Sequence, residues 1–207
     1  LHYRQRCYGS RRRILFVSSR RFCLTRPRSL CTHYTQREPI NREIRMTTLQ
    51  PLVVQIARLL LARQEIIATA ESCTGGRLAS YLTAQAGASN WYASGAITYS
   101  EKQKVELLGV DSSLIARYGV VSQEVALAMA RGAQARFGAN HALATTGFAG
   151  PLGGTPESPI GTVWIGIALG SQLYAHKLRI QKGREALIEE VCREALQLFI
   201  HHYTTKK

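Results

Sequence analysis

Between Ile66 and Leu82 the hydrophobic pattern changes period within a few residues. Ile66-Ile67-Ala68-Thr69-Ala70 is short, apolar and β-prone; it breaks off at Glu71-Ser72-Cys73-Thr74-Gly75-Gly76, and Arg77-Leu78-Ala79-Ser80-Tyr81-Leu82 resumes helical spacing. A strand that runs through a glycine-containing turn straight into a helix is the building unit of layered α/β sheets. The rest of the chain repeats the alternation. Helical spacing over Leu49–Ala62 precedes the unit, and a second strand is predicted at Ala93–Tyr99. Ser100-Glu101-Lys102-Gln103 then fits a capping box for a helix through Leu108. Asp111 and Ser122 are predicted caps of two further helices, the second closing at Gly138. His141–Thr145 reads as a buried strand, Thr146–Gly154 as a glycine-rich loop, Thr162–Leu169 and Leu173–Ile180 as a hairpin turning at Gly170-Ser171, and 184–203 as the last helix. The expected fold is an α/β three-layer sandwich over residues 46–207, with a mixed, mostly parallel sheet and helices on both faces.

Residues 1–45 stand apart. They hold twelve arginines against Glu38 and Glu43, which places +10 of the net charge of +14 there, and they show no useful helical or strand period. The segment reads as a basic leader outside the fold: an organelle transit peptide, or, the preferred reading, upstream sequence translated from a mis-assigned start, since Met46 opens a well-patterned helix. A nucleic-acid-binding arm would need a docked fold or interleaved aromatics for specificity, and the segment supplies only charge. Nucleic acid is therefore not an expected partner of the domain.

Of five cysteines only Cys73 and Cys192 lie in the domain, which implies no disulfide framework and suits a reducing, cytoplasmic setting. No metal-ligand spacing is visible: His141 and His176 stand alone, and His201-His202 are adjacent near a helix end, where neighbouring side chains diverge. Apolar runs such as 160–169 are shorter than the ~20 residues of a membrane-spanning helix.

Ligand sites of open α/β sheets gather beyond the C-terminal ends of strands. Three polar clusters fall at such ends: Ser72–Gly76, Tyr99–Lys104 and Thr145–Gly147. Ser72 precedes a helix whose first N–H groups lack partners within the helix, so it reads as a nucleophilic hydroxyl beside oxyanion donors, or as part of a phosphate site. The alternative is that Ser72 or Thr74 is only an N-cap. Gly75 and Gly76 make neither a Walker loop nor a spaced dinucleotide fingerprint, and no Gly-x-Ser-x-Gly elbow surrounds Ser72. His141 begins its strand, far from the expected chemistry, and is read as structural. Lys104 is the candidate base if desolvation lowers its pKa; otherwise Lys102 and Lys104 form a solvated helix face. Cys73 competes with Ser72 as nucleophile, although a buried packing role is commoner for such a cysteine.

Taken together, Ala70-Glu71-Ser72-Cys73-Thr74-Gly75-Gly76, Tyr99-Ser100 with Lys104, Leu108-Gly109-Val110, Tyr118-Gly119-Val120-Val121-Ser122, Thr146-Gly147-Phe148-Ala149-Gly150-Pro151 and Gly161-Thr162-Val163 resemble, in order, the CinA C-terminal domain family over essentially all of 46–207. The resemblance implies a homo-oligomeric amidase that hydrolyses nicotinamide mononucleotide to nicotinate mononucleotide and ammonia, with no metal or cofactor. By position, it implies Ser72 as nucleophile, Lys104 as general base, and Tyr99, Thr146 and Arg184 as further catalytic-site residues. Thr74, Gly75, Gly76 and Gly147 are expected at the substrate, with helix N–H groups holding the oxyanion and Arg184 and the glycine loops holding the phosphate. Glu101, Lys182-Gly183-Arg184 and the acid at Glu189 or Glu190 depart from the family's usual residues. A second reading is a catalytically silent nucleotide-binding or protein-interaction module of the same fold.

Overall fold

The computed structural model describes residues 49–205, so the expectations for the leader lie outside the described residues. The elements are α1 (Gln50–Arg63), β1 (Ile67–Glu71), α2 (Arg77–Thr83), β2 (Tyr92–Ile97), α3 (Glu101–Leu108), α4 (Ser112–Tyr118), α5 (Gln123–Arg136), β3 (His141–Gly147), β4 (Thr162–Leu169), β5 (Gln172–Arg179) and α6 (Arg184–Thr205). The strands form one sheet in the order β2-β1-β3-β4-β5. β1 pairs in parallel with β2 and β3, whereas β3–β4 and β4–β5 are antiparallel. The sheet is mixed as expected: β1, β2, β3 and β5 run one way and β4 runs the other. The chain between β3 and β4 carries no crossover helix, so β4 must return alongside β3 in the opposite direction.

Helices cover both faces. On one, α1, α2 and α6 bury Ile56, Leu60, Leu78, Val191 and Phe199 against the branched residues Leu143, Val163, Ile165 and Ile167 of the sheet. On the other, α3, α4 and α5 pack Leu108, Ile115, Val125 and Met129 on a floor of alanines, Ala68, Ala70, Ala142, Ala144 and Ala168. The small residues let α5 lie close to the strands. At Gly166 a Cβ would run into the Ala126 carbonyl of α5, so that position admits no side chain. The alternation of large and small residues along β1 and β3 thus assigns each face a helix layer at a different distance.

The predicted caps form. Ser100 Oγ accepts from Gln103 N–H at 3.3 Å, Asp111 Oδ1 from Ser113 N–H at 2.8 Å and Ser122 Oγ from Val125 N–H at 3.3 Å. His141, at the start of β3, bonds Glu65 through Nε2 at 3.0 Å, and its Nδ1 accepts the Gly170 N–H at 3.2 Å. It is a structural histidine at the far end of the sheet from the cavity described below. His176 does not stand alone: its Nε2 lies 2.7 Å from Nε2 of His202, whose ring stacks on Tyr174. Strand β5 and the end of α6 bring together residues whose sequence separation concealed the contact. Among the described residues no helix is long and apolar enough to cross a membrane.

Candidate active site

The C-terminal ends of the parallel strands β1, β2 and β3 point the same way, and the antiparallel pair β4–β5 delivers the chain back to that edge at Arg179, opposite Thr162. Helix α6 therefore starts beside the ends of β1 and β3. Between these elements is a cavity of about 370 Å³ lined by Ser72, Tyr99, Lys104, Thr146, Gly147 and Arg184, together with Cys73, Glu101, Val120, Phe148 and Leu152. This size suits a small-molecule ligand.

Backbone bonds place Ser72 and Lys104. The Ser72 N–H donates to Thr145 O at 2.9 Å, and the Thr98 N–H donates to Glu71 O at 2.8 Å, so both turns are fastened to their neighbouring strands. The Ser100 cap then starts α3, and Lys104, one turn in, folds its side chain back under the sheet edge. Its Nζ donates to Thr98 O at 2.7 Å and contacts Ser72 Oγ at 3.0 Å. Lys104 is 0% exposed, and it forms no ion pair among the described residues. Burial pushes its pKa below the ordinary lysine value, and the negative charge of Glu101 only partly opposes that. The solvated-face alternative holds for Lys102, which lies in the open 3.7 Å from Glu106, and fails for Lys104.

The turn after Ser72 differs from expectation. Neither Ser72 nor Thr74 caps α2. The carboxylate of Glu71, buried at the end of β1, accepts the N–H groups of Gly76, Leu78 and Ala79 at 2.9, 3.1 and 2.7 Å. Those donors are consumed internally, so they cannot serve an oxyanion as the sequence suggested. Thr74 is buried, its hydroxyl 2.7 Å from that of Thr145. Gly75 and Gly76 adopt positive φ and line a separate shallow depression with Arg77 and Tyr81. The structure therefore brings Ser72, Lys104, Tyr99, Thr146, Arg184 and Gly147 together and leaves Thr74, Gly75 and Gly76 aside. The missed residue was Glu71, whose signal was an acid at the end of an otherwise apolar strand.

The remaining side chains shape the opening. Thr146 Oγ1 donates to Val120 O at 2.8 Å, holding the loop before α5 against β3. Gly147 lacks a side chain for packing reasons, since a Cβ would lie 2.6 Å from Val163 Cγ2. At the mouth, Arg184 donates to Gly150 O at 2.9 Å and to the exposed Tyr99 hydroxyl at 3.3 Å. Cys73 is buried with its thiol pKa pushed up to about 12, first by burial, which keeps it from being a ready thiolate.

With this geometry in hand, comparison with known proteins is decisive for the family: the model of the CinA C-terminal domain matches residues 49–203. The chain belongs to this family. A CinA-like protein of Mycolicibacterium vanbaalenii is 50% identical over 145 residues, 70% of this chain but 34% of that protein. The chain spans about a third of the length of the CinA-like relatives it matches first. A Pseudomonas putida protein named nicotinamide-nucleotide amidohydrolase PncC is 45% identical over 130 residues, 63% of this chain and 81% of that protein. The crystal structure of competence damage-inducible protein A (ComA) from Klebsiella pneumoniae superposes with a TM-score of 0.74 at 34% identity, covering 76% of this chain and 98% of that one. That competence damage-inducible protein thus shares this fold.

Proposed function

We propose that this domain is a nicotinamide-nucleotide amidase, in which Ser72 attacks the carboxamide carbon and Lys104 moves the protons. The observation that carries the reading is the 3.0 Å contact between Ser72 Oγ and the buried Lys104 Nζ inside a ligand-sized cavity. The relative named as a nicotinamide-nucleotide amidohydrolase supports the choice of amide.

A neutral lysine amine has two N–H donors and one lone pair. Thr98 O takes one N–H, which leaves the lone pair available to Ser72, and burial without a carboxylate partner favours that neutral form. As Ser72 Oγ bonds to the carbonyl carbon, its proton passes to Nζ. The ammonium so formed gives a proton to the departing nitrogen, the C–N bond breaks, and ammonia leaves an acyl-serine. Water then adds to the acyl carbon, losing a proton to the again neutral Lys104. The C–Oγ bond breaks, Oγ takes that proton back from Nζ, and the acid leaves as carboxylate with its proton passing to solvent. Arg184, Tyr99 and the Phe148–Gly150 loop at the mouth suit the phosphate and ribose, the guanidinium supplying the charge.

The test is ammonia release from nicotinamide mononucleotide by the full 207-residue chain, with loss in Ser72→Ala. Binding without ammonia would reassign the domain as a silent nucleotide-binding module.

A further inference from the structure

Three charged side chains line the cavity: Lys104, Arg184 and Glu101. Lys104 is the proposed buried base, and among the described residues Arg184 donates to an uncharged carbonyl and a phenol. Glu101, the first residue of α3, is exposed and forms no ion pair among the described residues. It is also the carboxylate in the cavity lining, three residues before Lys104 on α3, and its charge acts on Lys104. With Lys104 neutral, the cavity therefore presents one uncompensated negative charge on its α3 wall and one uncompensated positive charge at Arg184. Such a site is electrostatically complementary to a zwitterion, cationic at the reacting end and anionic at the other.

We infer that Glu101 is a specificity-determining residue that reads the positive charge of a pyridinium ring, so that the site selects oxidised pyridine mononucleotides over uncharged-ring analogues. The inference rests on the amidase reading for its ligand class. Glu101 touches the ring's field and leaves proton transfer to Lys104. A carboxylate that bore only a structural cap would be indifferent to ring charge, and one that only repelled phosphate would weaken all mononucleotides alike.

The experiment compares nicotinamide mononucleotide with its reduced dihydropyridine form, which keeps the carboxamide, ribose and phosphate and lacks the ring charge. Binding of each is measured by calorimetry to full-length chain carrying Ser72→Ala, which stops turnover, with Glu101 intact or changed to Gln or Asp. The expected result is tighter binding of the oxidised form with Glu101, a preference that falls roughly threefold or more in Glu101→Gln, the scale of one partly exposed charge pair, and persists in Glu101→Asp. An unchanged preference in Glu101→Gln, or no binding of either nucleotide, overturns the inference. Ammonia release by the chain with Ser72 intact is scored separately: a ring-charge preference without ammonia would sink the amidase reading and leave the role of Glu101 standing.

Discussion

Lys104 Nζ and Ser72 Oγ meet at 3.0 Å across 32 residues of sequence, inside a protein region where the lysine has no exposed surface. Thr98 O is the second anchor of the amine, and it belongs to the chain that pairs with Glu71, the residue before Ser72. The proposed base and nucleophile are thus held by one piece of the sheet, and they are expected to fail together.

Ser72→Ala and Lys104→Ala should each lower turnover at saturating nicotinamide mononucleotide by at least ~100-fold, and the double variant should be little worse than either. Single-turnover rates of the three variants check this. Independent multiplicative losses would show that the two side chains do not act in the same step.

The pH dependence follows from the lowered pKa of Lys104. Only the neutral amine accepts the serine proton, so turnover should rise with pH through an apparent value below 10.5, the ordinary lysine pKa. The unfolded chain holds this proton more tightly than the folded one. Stability should therefore increase as pH rises from the folded pKa to the unfolded one, because the cost of burying the ammonium disappears over that window. Lys104→Met, inactive, should be more stable than the parent at neutral pH by about 1 kcal/mol or more in urea denaturation. A less stable Lys104→Met would mean that the ammonium is well compensated in place.

Cys73→Ala should keep most of the turnover, since burial holds the thiol protonated, at a stability cost of about 1 kcal/mol for the small space left. An inactive but folded Cys73→Ala beside an active Ser72→Ala would exchange the two roles.

Glu71→Gln should destabilise the domain by about 2 kcal/mol, because a charged acceptor shared by three N–H groups becomes an amide that must turn one donor toward them. Hydrogen exchange should show the loss concentrated at Gly76, Leu78 and Ala79. Uniform exchange across the domain would argue against a local role in holding the start of α2.

The sequence by itself determined the strands, the helices and most of their ends, since these depend on local period and on caps within three residues. Ser100, Asp111 and Ser122 all bond as their spacing predicts. It also carried the ordered motifs of the family and the three strand ends at which Ser72, Tyr99 and Thr146 gather. Tertiary structure decided whatever depended on a partner far along the chain. Lys102 and Lys104 look alike in sequence, and only the return of α3 against the ends of β1 and β2 buries one and leaves the other in solvent. The turn at Gly75-Gly76 resembles an anion site until the sheet places the Glu71 carboxylate beneath it. Arg184 reaches the cavity because the chain reverses between β3 and β4 and again between β4 and β5, and His176 meets His202 because α6 runs back over the sheet. Local propensity acts over a few residues; desolvation, charge pairing and donor occupancy depend on which segments the sheet order makes neighbours.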